Sequence, residues 1–120
     1  MKIAVTSSGT ALDALVDPRF GRAAKFIVVD TESGTLAVHD NTQNLNTAQG
    51  AGIQAAQTVS SLGAEAVITG HCGPKAFRTL RAAGIQVVVG AEGTVAEVLE
   101  AFKTGKLKAT ESADVEGHWE

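Results

Sequence analysis

Residues 66–77, AVITGHCGPKAF, contain the clearest signal for the architecture of this chain. Its first three residues form a continuous apolar run, which is typical of a parallel strand covered on both faces. The next segment, Gly70-His71-Cys72-Gly73, predicts a loop, and Pro74 opens a helix where its missing N–H has no cost. A strand followed by a crossover helix favours a parallel neighbour, so these residues indicate an α/β sheet.

Upstream of this stretch, apolar runs at residues 2–8 and 25–30 predict two strands. The turn signal ESGT at 32–35 joins the second strand to LAVH at 36–39, which predicts a hairpin. A helical apolar period then begins after Gly50.

Downstream, residues 87–89 predict the last strand, and Thr94 with Glu97 forms a capping-box pattern ahead of a third helix. The expected order is β-β-β-α-β-α-β-α. Since a hairpin is antiparallel and helical crossovers favour parallel strands, we expect a single-domain α/β fold with a mixed five-stranded sheet and helices on its faces.

The length of 120 residues suits one compact domain, predicted over residues 1–107. Residues 108–120 are predicted to be an acidic, flexible tail. The last ten residues contain four acids, so the net charge of −3 for the chain leaves the first 110 residues at −3 + 4 = +1. The body is therefore slightly basic. We interpret the polar run from Asn41 to Gln49 as a mobile loop.

A single cysteine, Cys72, excludes an intrachain disulfide and any all-cysteine metal site within one chain. The sequence contains no long uncharged apolar stretch. We therefore expect a cytoplasmic protein that does not span a membrane. We also expect a monomer.

The first candidate site motif is DPRFGR, residues 17–22, which places Arg19 and Arg22 in one loop around Phe20 and Gly21. Arginine presents a planar fork of donors that suits an anion with several oxygens or sulfurs, and Phe20 could shield that contact from water. The alternative is a surface loop in which Asp17 pairs with an arginine and Phe20 plugs the core.

The second motif is GHCGPK, residues 70–75, at the turn from a strand into a helix. Free N–H groups and the positive helix end form an anion seat, and Lys75 adds a charge where helices usually prefer acids. His71 and Cys72 are candidate direct metal ligands, with Gly73 admitting the anion to the backbone. Alternatively, Cys72 is a small core residue and His71 an ordinary loop residue.

The third motif is GAG, residues 50–52, where Gly50 and Gly52 allow the backbone to approach a ligand closely. A single Gly-x-Gly is weak evidence, and the alternative is a helix start that needs glycine torsions.

Several other chemistries lack their residues. The sequence has no Cys-x-x-Cys pair, no phosphate-binding GxxxxGK[ST] loop, and no carboxylates at the end of the first strand for a two-metal nuclease. A short basic run at Lys103, Lys106 and Lys108 is typical of a solvated helix end, so we expect no nucleic-acid partner.

The three motifs DPRFGRA, GAGIQAA and GHCGPKAF together resemble the dinitrogenase iron-molybdenum cofactor biosynthesis family. The resemblance extends to about Leu107. It implies a ribonuclease-H-like fold without nuclease residues, and a role in binding, storing or handing over a metal-sulfur cluster. The cluster implied is a molybdenum-copper sulfide held mainly by noncovalent contacts, with iron-molybdenum or iron-sulfur clusters as alternatives. Protein partners in cluster delivery are implied as well.

The resulting hypothesis is a non-enzymatic cluster carrier. The expected contacts are Arg19, Arg22 and Lys75 to the anion, Phe20 as a wall, and the backbone at Gly21, Gly50, Gly52 and Gly73, with His71 and Cys72 as metal ligands. Two alternatives stay open. One is a protein-interaction module without a cofactor, in which the Asn41 to Gln49 loop orders on binding. The other is a small enzyme with Cys72 as nucleophile and His71 as base.

Overall fold

The computed structural model describes residues 1–41 and 50–110. Within these ranges the chain forms five strands and three helices. They are β1 (Lys2–Ser7), β2 (Lys25–Asp30), β3 (Leu36–Asp40), α1 (Ala51–Ser61), β4 (Ala66–Ile68), α2 (Pro74–Ala82), β5 (Gln86–Val88) and α3 (Val95–Lys103).

The strands form one mixed sheet in the order β3-β2-β1-β4-β5. β2 pairs antiparallel with both β1 and β3, whereas β4 lies parallel to β1 and to β5. The mixed five-stranded sheet predicted from the hairpin and the crossover helices is therefore confirmed. Because β1 and β4 are parallel, the loops that follow Ser7 and Ile68 leave the same edge of the sheet.

The alternation of side chains along the strands divides the core into two layers. One layer contains Phe26, Val28 and Val67 and packs against α1 and α2 through residues such as Val59 and Leu80. The other layer lies on the opposite face of the sheet and includes Ile27, Val29 and Ile68 together with Val95, Val98 and Leu99 of α3.

The helix starts differ in a way that matters for the site. α3 begins with the predicted capping box, in which Thr94 Oγ1 accepts the Glu97 N–H and the Glu97 carboxylate accepts the Thr94 N–H. The N-caps of α1 and α2 are Gly50 and Gly73, which have no side chain to cap with. Gly50 has φ 79°, a left-handed conformation that glycine adopts without steric cost.

Two predicted flexible segments lie mainly outside the described residues. Residues 42–49 and 111–120 belong to this part of the chain, but Asn41 does not. Asn41 follows β3 as predicted, but it is only 2% exposed, so the prediction that it is mobile is wrong: a buried carboxamide needs the fixed partners described below. At the other boundary, the Thr110 N–H donates to Val87 O of β5 at 2.7 Å.

In the described ranges, no helix combines the length and the apolar character that crossing a bilayer requires.

Candidate anion-binding site

The site begins at the carboxyl ends of β1 and β4, where two buried threonines lie side by side. Thr6 Oγ1 lies 3.0 Å from Thr69 Oγ1 and 2.7 Å from the backbone oxygen of Asp17. In return, the Asp17 N–H donates to Thr6 O at 2.9 Å. These bonds fix the start of the DPRFGR loop on the edge of the sheet.

The Asp17 carboxylate then organises the loop internally. Its two oxygens accept the N–H groups of Arg19 at 3.1 Å and of Ala24 at 3.3 Å. One carboxylate thus closes the eight-residue segment from Asp17 to Ala24. The acid at this position holds backbone donors, so it is a structural part of the motif.

The DPRFGR loop contacts the GHCGPK turn through the backbone. A Cβ atom added to Gly70 would lie 2.8 Å from Pro18 Cα, which means that only glycine permits this approach. Next to it, the Phe20 N–H donates to His71 O at 3.1 Å, and Arg19 and His71 form a parallel bridge.

The same loop also contacts the GAG motif. A Cβ atom on Gly21 would lie 2.8 Å from both Cα and N of Gly52 and 3.1 Å from the carbonyl carbon of Ala51. Real Cβ atoms do not approach backbone so closely. Gly21 is therefore required by the contact between the loop and the first turn of α1.

The three motifs consequently form one continuous junction. Arg19 is paired with His71, and Gly21, two residues later, touches Gly52. Two residues span at most about 7 Å. The N-terminal ends of α1 and α2 therefore flank the same short segment of the loop, on one side of the molecule.

Phe20 lies in the core beneath this junction. Its ring is 1% exposed and packs against Phe26 with ring centroids 5.8 Å apart. A ring so deeply buried has no surface to offer an anion, so the expected role of Phe20 as a wall is corrected. The motif left two interpretations open, and the structure gives Phe20 the one in which it plugs the core.

Cys72 is also buried, at 2% exposure, and belongs to the core layer beneath α1 and α2. Its thiol lies 3.7 Å from Gly73 O. This placement favours the interpretation of Cys72 as a small core residue. His71 is half-buried at the surface of the junction. Ligation of a metal by either residue stays a prediction.

The cations expected at the site are arranged around the junction. Arg19 and Lys75 are exposed, and Arg22 is half-buried. Neither α1 nor α2 has an acidic residue in its first turn, and α2 has Lys75 there instead. A helix start carries a partial positive charge that an acid usually balances, so both ends add to the positive character of the junction.

Asn41 is a residue of the site that sequence reasoning assigned to a mobile loop. Its side-chain Nδ2 donates to Gly21 O at 3.3 Å and to Ala23 O at 2.9 Å. In the sequence, only its position directly after β3 pointed to this role. β3 pairs with β2, which is the strand that follows the DPRFGR loop.

A site built from protein ligands to a metal ion is not visible in the described chain. Residues 1–41 and 50–110 contain no group of three or more His, Cys, Asp or Glu side chains close enough to hold a metal ion. A cleft of about 290 Å³ between α3 and β3 has apolar walls, including Leu12 and Leu36, with Glu100 and Lys103 beside them. Its opposed charges do not suit a polyanion.

The junction is built from the motifs that carry the family resemblance. Residues 1–105 match the family model described as dinitrogenase iron-molybdenum cofactor. The chain belongs to this family. The family expected from the three motifs is thereby confirmed.

Relatives within and around the family support the fold. The apo form of the orange protein from Desulfovibrio gigas is 43% identical, with a TM-score of 0.93, and the match covers 95% of this chain and 96% of that one. A Thermotoga protein solved by NMR is 39% identical, with a TM-score of 0.81 and coverage of 95% and 98%. An uncharacterized protein of Methanocaldococcus jannaschii is 31% identical over 113 residues, which is 92% of either chain.

Proposed function

We propose that this protein binds a preformed anionic metal-sulfur cluster at the junction, holds it largely by noncovalent contacts, and stores it or hands it to a protein partner. One observation carries the proposal. The contact of Gly21 with Gly52 and the bridge of Arg19 with His71 bring two helix N-termini and the DPRFGR loop together. No covalent step on an organic substrate is part of this function.

Backbone donors suit such a cargo. The first turn of α1 presents N–H groups, whereas α2 begins with Pro74, which has none; both turns lie at the positive ends of helices whose glycine caps supply no competing side-chain acceptor. A negative charge near one helix start is typically worth 0.3–1 kcal/mol, and up to about 2 kcal/mol in partly buried geometry. Two converging ends therefore give a modest but directional contribution.

The arginine and lysine side chains supply the larger part of the binding energy. Charge-assisted hydrogen bonds contribute about 1.5–3 kcal/mol each, which corresponds to roughly ten- to hundredfold in affinity. Arg19 and Lys75 are exposed and Arg22 is partly accessible, so all three side chains reach the surface of the molecule. An anion that spans the junction would contact all three.

A metal-sulfur cluster is the polyanion that the family membership favours. A thiometallate is soft and multiply charged, and N–H donors and guanidinium groups stabilise it without a full set of protein ligands. A molybdenum-copper sulfide is the cargo we infer first, on the likeness to the orange protein. An iron-molybdenum or iron-sulfur cluster is the alternative, on the family name.

We infer three further properties of the carrier. The sheet order and the absence of acids at the end of β1 support a ribonuclease-H-like fold used without nuclease chemistry. We also propose that it acts as a monomer in the cytoplasm, with His71 and Cys72 as candidate direct ligands beside the noncovalent contacts. Tail residues 108–120 are proposed to lie outside the cluster-binding domain.

Anaerobic reconstitution with tetrathiomolybdate and copper(I) tests the proposal. We expect visible charge-transfer absorption that coelutes with the protein, and its loss in the double variant Arg19→Ala/Arg22→Ala. The matched control is Arg78→Ala/Arg81→Ala, which removes two exposed arginines from α2 beyond its first turn.

The control pair should retain the absorption, because the cations that matter are those at the junction. Absence of a chromophore on the unmodified protein would refute binding of a molybdenum-copper sulfide. Equal loss in both double variants would show that net charge alone, and not the junction, attracts the anion.

A protein-interaction function is the second candidate. Leu15 is 62% exposed and Leu12 40%, and both lie in one surface loop. Because this loop bonds to the first turn of α3, the two leucines support docking of a protein partner on the α3 side of the molecule. If docking is the whole function, then the reconstitution gives a colourless protein.

A further inference from the structure

We propose that Asn41 is the positioning residue of the anion site and acts through Arg22. This inference rests on the proposed function, because it assigns a role in the binding of the same anion. The residue lies at the end of β3, outside the three motifs that supply the anion contacts.

The contacts of Asn41 are concentrated on one turn of the DPRFGR loop. Its carboxamide donates to Gly21 O and Ala23 O at 3.3 and 2.9 Å, and its backbone N–H donates to Ala24 O at 2.9 Å. The side chain is only 2% exposed. When such a donor is removed, the buried carbonyl oxygens lose a hydrogen-bond partner, and the folded state is destabilised by their desolvation.

Arg22 is the residue between the two carbonyls that this carboxamide holds. The peptide unit before Arg22 and the peptide unit after Ala23 are both tied to one rigid amide, so the backbone from Gly21 to Ala23, with Arg22 at its centre, is restrained. Long cationic side chains lose conformational entropy when they bind, and a fixed backbone reduces the number of positions that the guanidinium samples. Asn41 therefore determines how well Arg22 is pre-organised for an anion.

The chemistry of the loop explains why an asparagine is needed here. Asp17 accepts two N–H groups of the loop, whereas Asn41 donates to two of its carbonyls. An aspartate side chain at position 41 has no N–H donors and would place a carboxylate against two carbonyl oxygens. The backbone bond from Asn41 to Ala24 continues the β2–β3 pairing beyond Lys25 and Asp40, so the sheet itself sets the position of the amide.

A double-mutant cycle tests this role. Tetrathiomolybdate is titrated against the full chain and against Asn41→Ala, Arg22→Ala and the double variant, and the Kd is measured for each. We expect each single variant to bind roughly tenfold more weakly. The double variant should bind about as weakly as Arg22→Ala alone, because the effect of Asn41 on the anion passes through Arg22.

Val98→Ala is the control for lost stability, because Val98 is 2% exposed in the core layer on the other face of the sheet. It should lower the Tm and leave the Kd of the folded protein unchanged. Independent, additive effects of Asn41→Ala and Arg22→Ala would overturn the inference, as would an equal loss of affinity in Val98→Ala. If the unmodified protein itself does not bind tetrathiomolybdate, it is the proposed function that fails.

Discussion

Replacing Gly21 with alanine tests whether the junction holds the site together. The Cβ atom introduced would lie 2.8 Å from Cα and N of Gly52. Both are backbone atoms in the first turn of α1, so no side chain can rotate away. The contact can be relieved only if the loop and the helix separate.

The required movement sets the magnitude of the effect. Carbon atoms prefer separations of about 3.5–4.0 Å, so the two backbones must part by roughly 0.7 Å or more. Overpacking of a well-packed interior costs typically about 1–3 kcal/mol. For a domain of this size we expect a fall in Tm of roughly 4 °C for each kcal/mol, or about 4–12 °C in total.

Thermal unfolding followed by circular dichroism measures the first effect, and tetrathiomolybdate titration of the folded variant measures the second. We expect at least a tenfold loss of affinity, since the end of α1 moves away from Arg19 and Arg22. Gly34→Ala is the control. Gly34 has φ 75° with no atom within 4 Å of an added Cβ, so its replacement strains only the β2–β3 turn.

Gly34→Ala should therefore lower the Tm and leave the affinity for tetrathiomolybdate unchanged. A Gly21→Ala variant with the Tm and the affinity of the unmodified protein would refute the close contact between the loop and α1. That result would also refute the argument that the two helix ends share one ligand.

Three further predictions concern single residues. Lys75→Glu should raise the free energy of unfolding by about 0.3–1 kcal/mol, because an acid suits the first turn of α2, and urea unfolding measures this gain. The same variant should bind tetrathiomolybdate more weakly in a titration. Cys72→Ala should cost about 1 kcal/mol in the same urea assay and retain the charge-transfer band, whereas a lost band at unchanged fold would identify the thiol as a ligand. The pKa of Glu97 is lowered below its ordinary value of 4.5, first by the hydrogen bond from the Thr94 backbone N–H and second by the hydrogen bond with the Thr94 side chain. The capping contribution is therefore complete above pH 4.5 and is lost as the pH falls through the lower, folded pKa. A Glu97→Gln variant should show a smaller decrease of Tm with acid over that range, and an unchanged decrease would exclude this contribution.

The sheet was accessible from the sequence because its signals are local. The four-residue turn ESGT, three polar residues and a glycine, lies between two apolar runs and predicted the β2–β3 hairpin, and Pro74 marked the start of α2. Thr94 and Glu97 marked the start of α3 by spacing alone. Each of these features depends on residues within one or two turns of chain, so no tertiary contact was needed to recognise it.

The candidate site was predictable in its membership but not in its construction. Glycines at 21 and 70 were visible, yet nothing local showed that they face Gly52 and Pro18. Phe20 illustrates the same limit, because an aromatic between two arginines fits a ligand wall as well as a core plug. Only the packing against Phe26 decides between them.

The burial of Asn41 was not predictable from the sequence for a related reason. Asparagine in a run of amide and hydroxyl residues is typical of a loop, and composition does not distinguish the one that is buried. Its burial depends on the sheet register that places it opposite Ala24. Such a role is tertiary, and it becomes visible only when strands are paired.

The burial of Phe20 has a consequence for the dynamics of the loop. The side chain is locked among core residues, and its amide hydrogen is bonded to His71 O. Exchange of that hydrogen with deuterated solvent should therefore require an opening almost as rare as global unfolding, although the flanking Arg19 is exposed. The backbone that carries the two arginines is thus anchored to the core, and a cargo would meet it already in place.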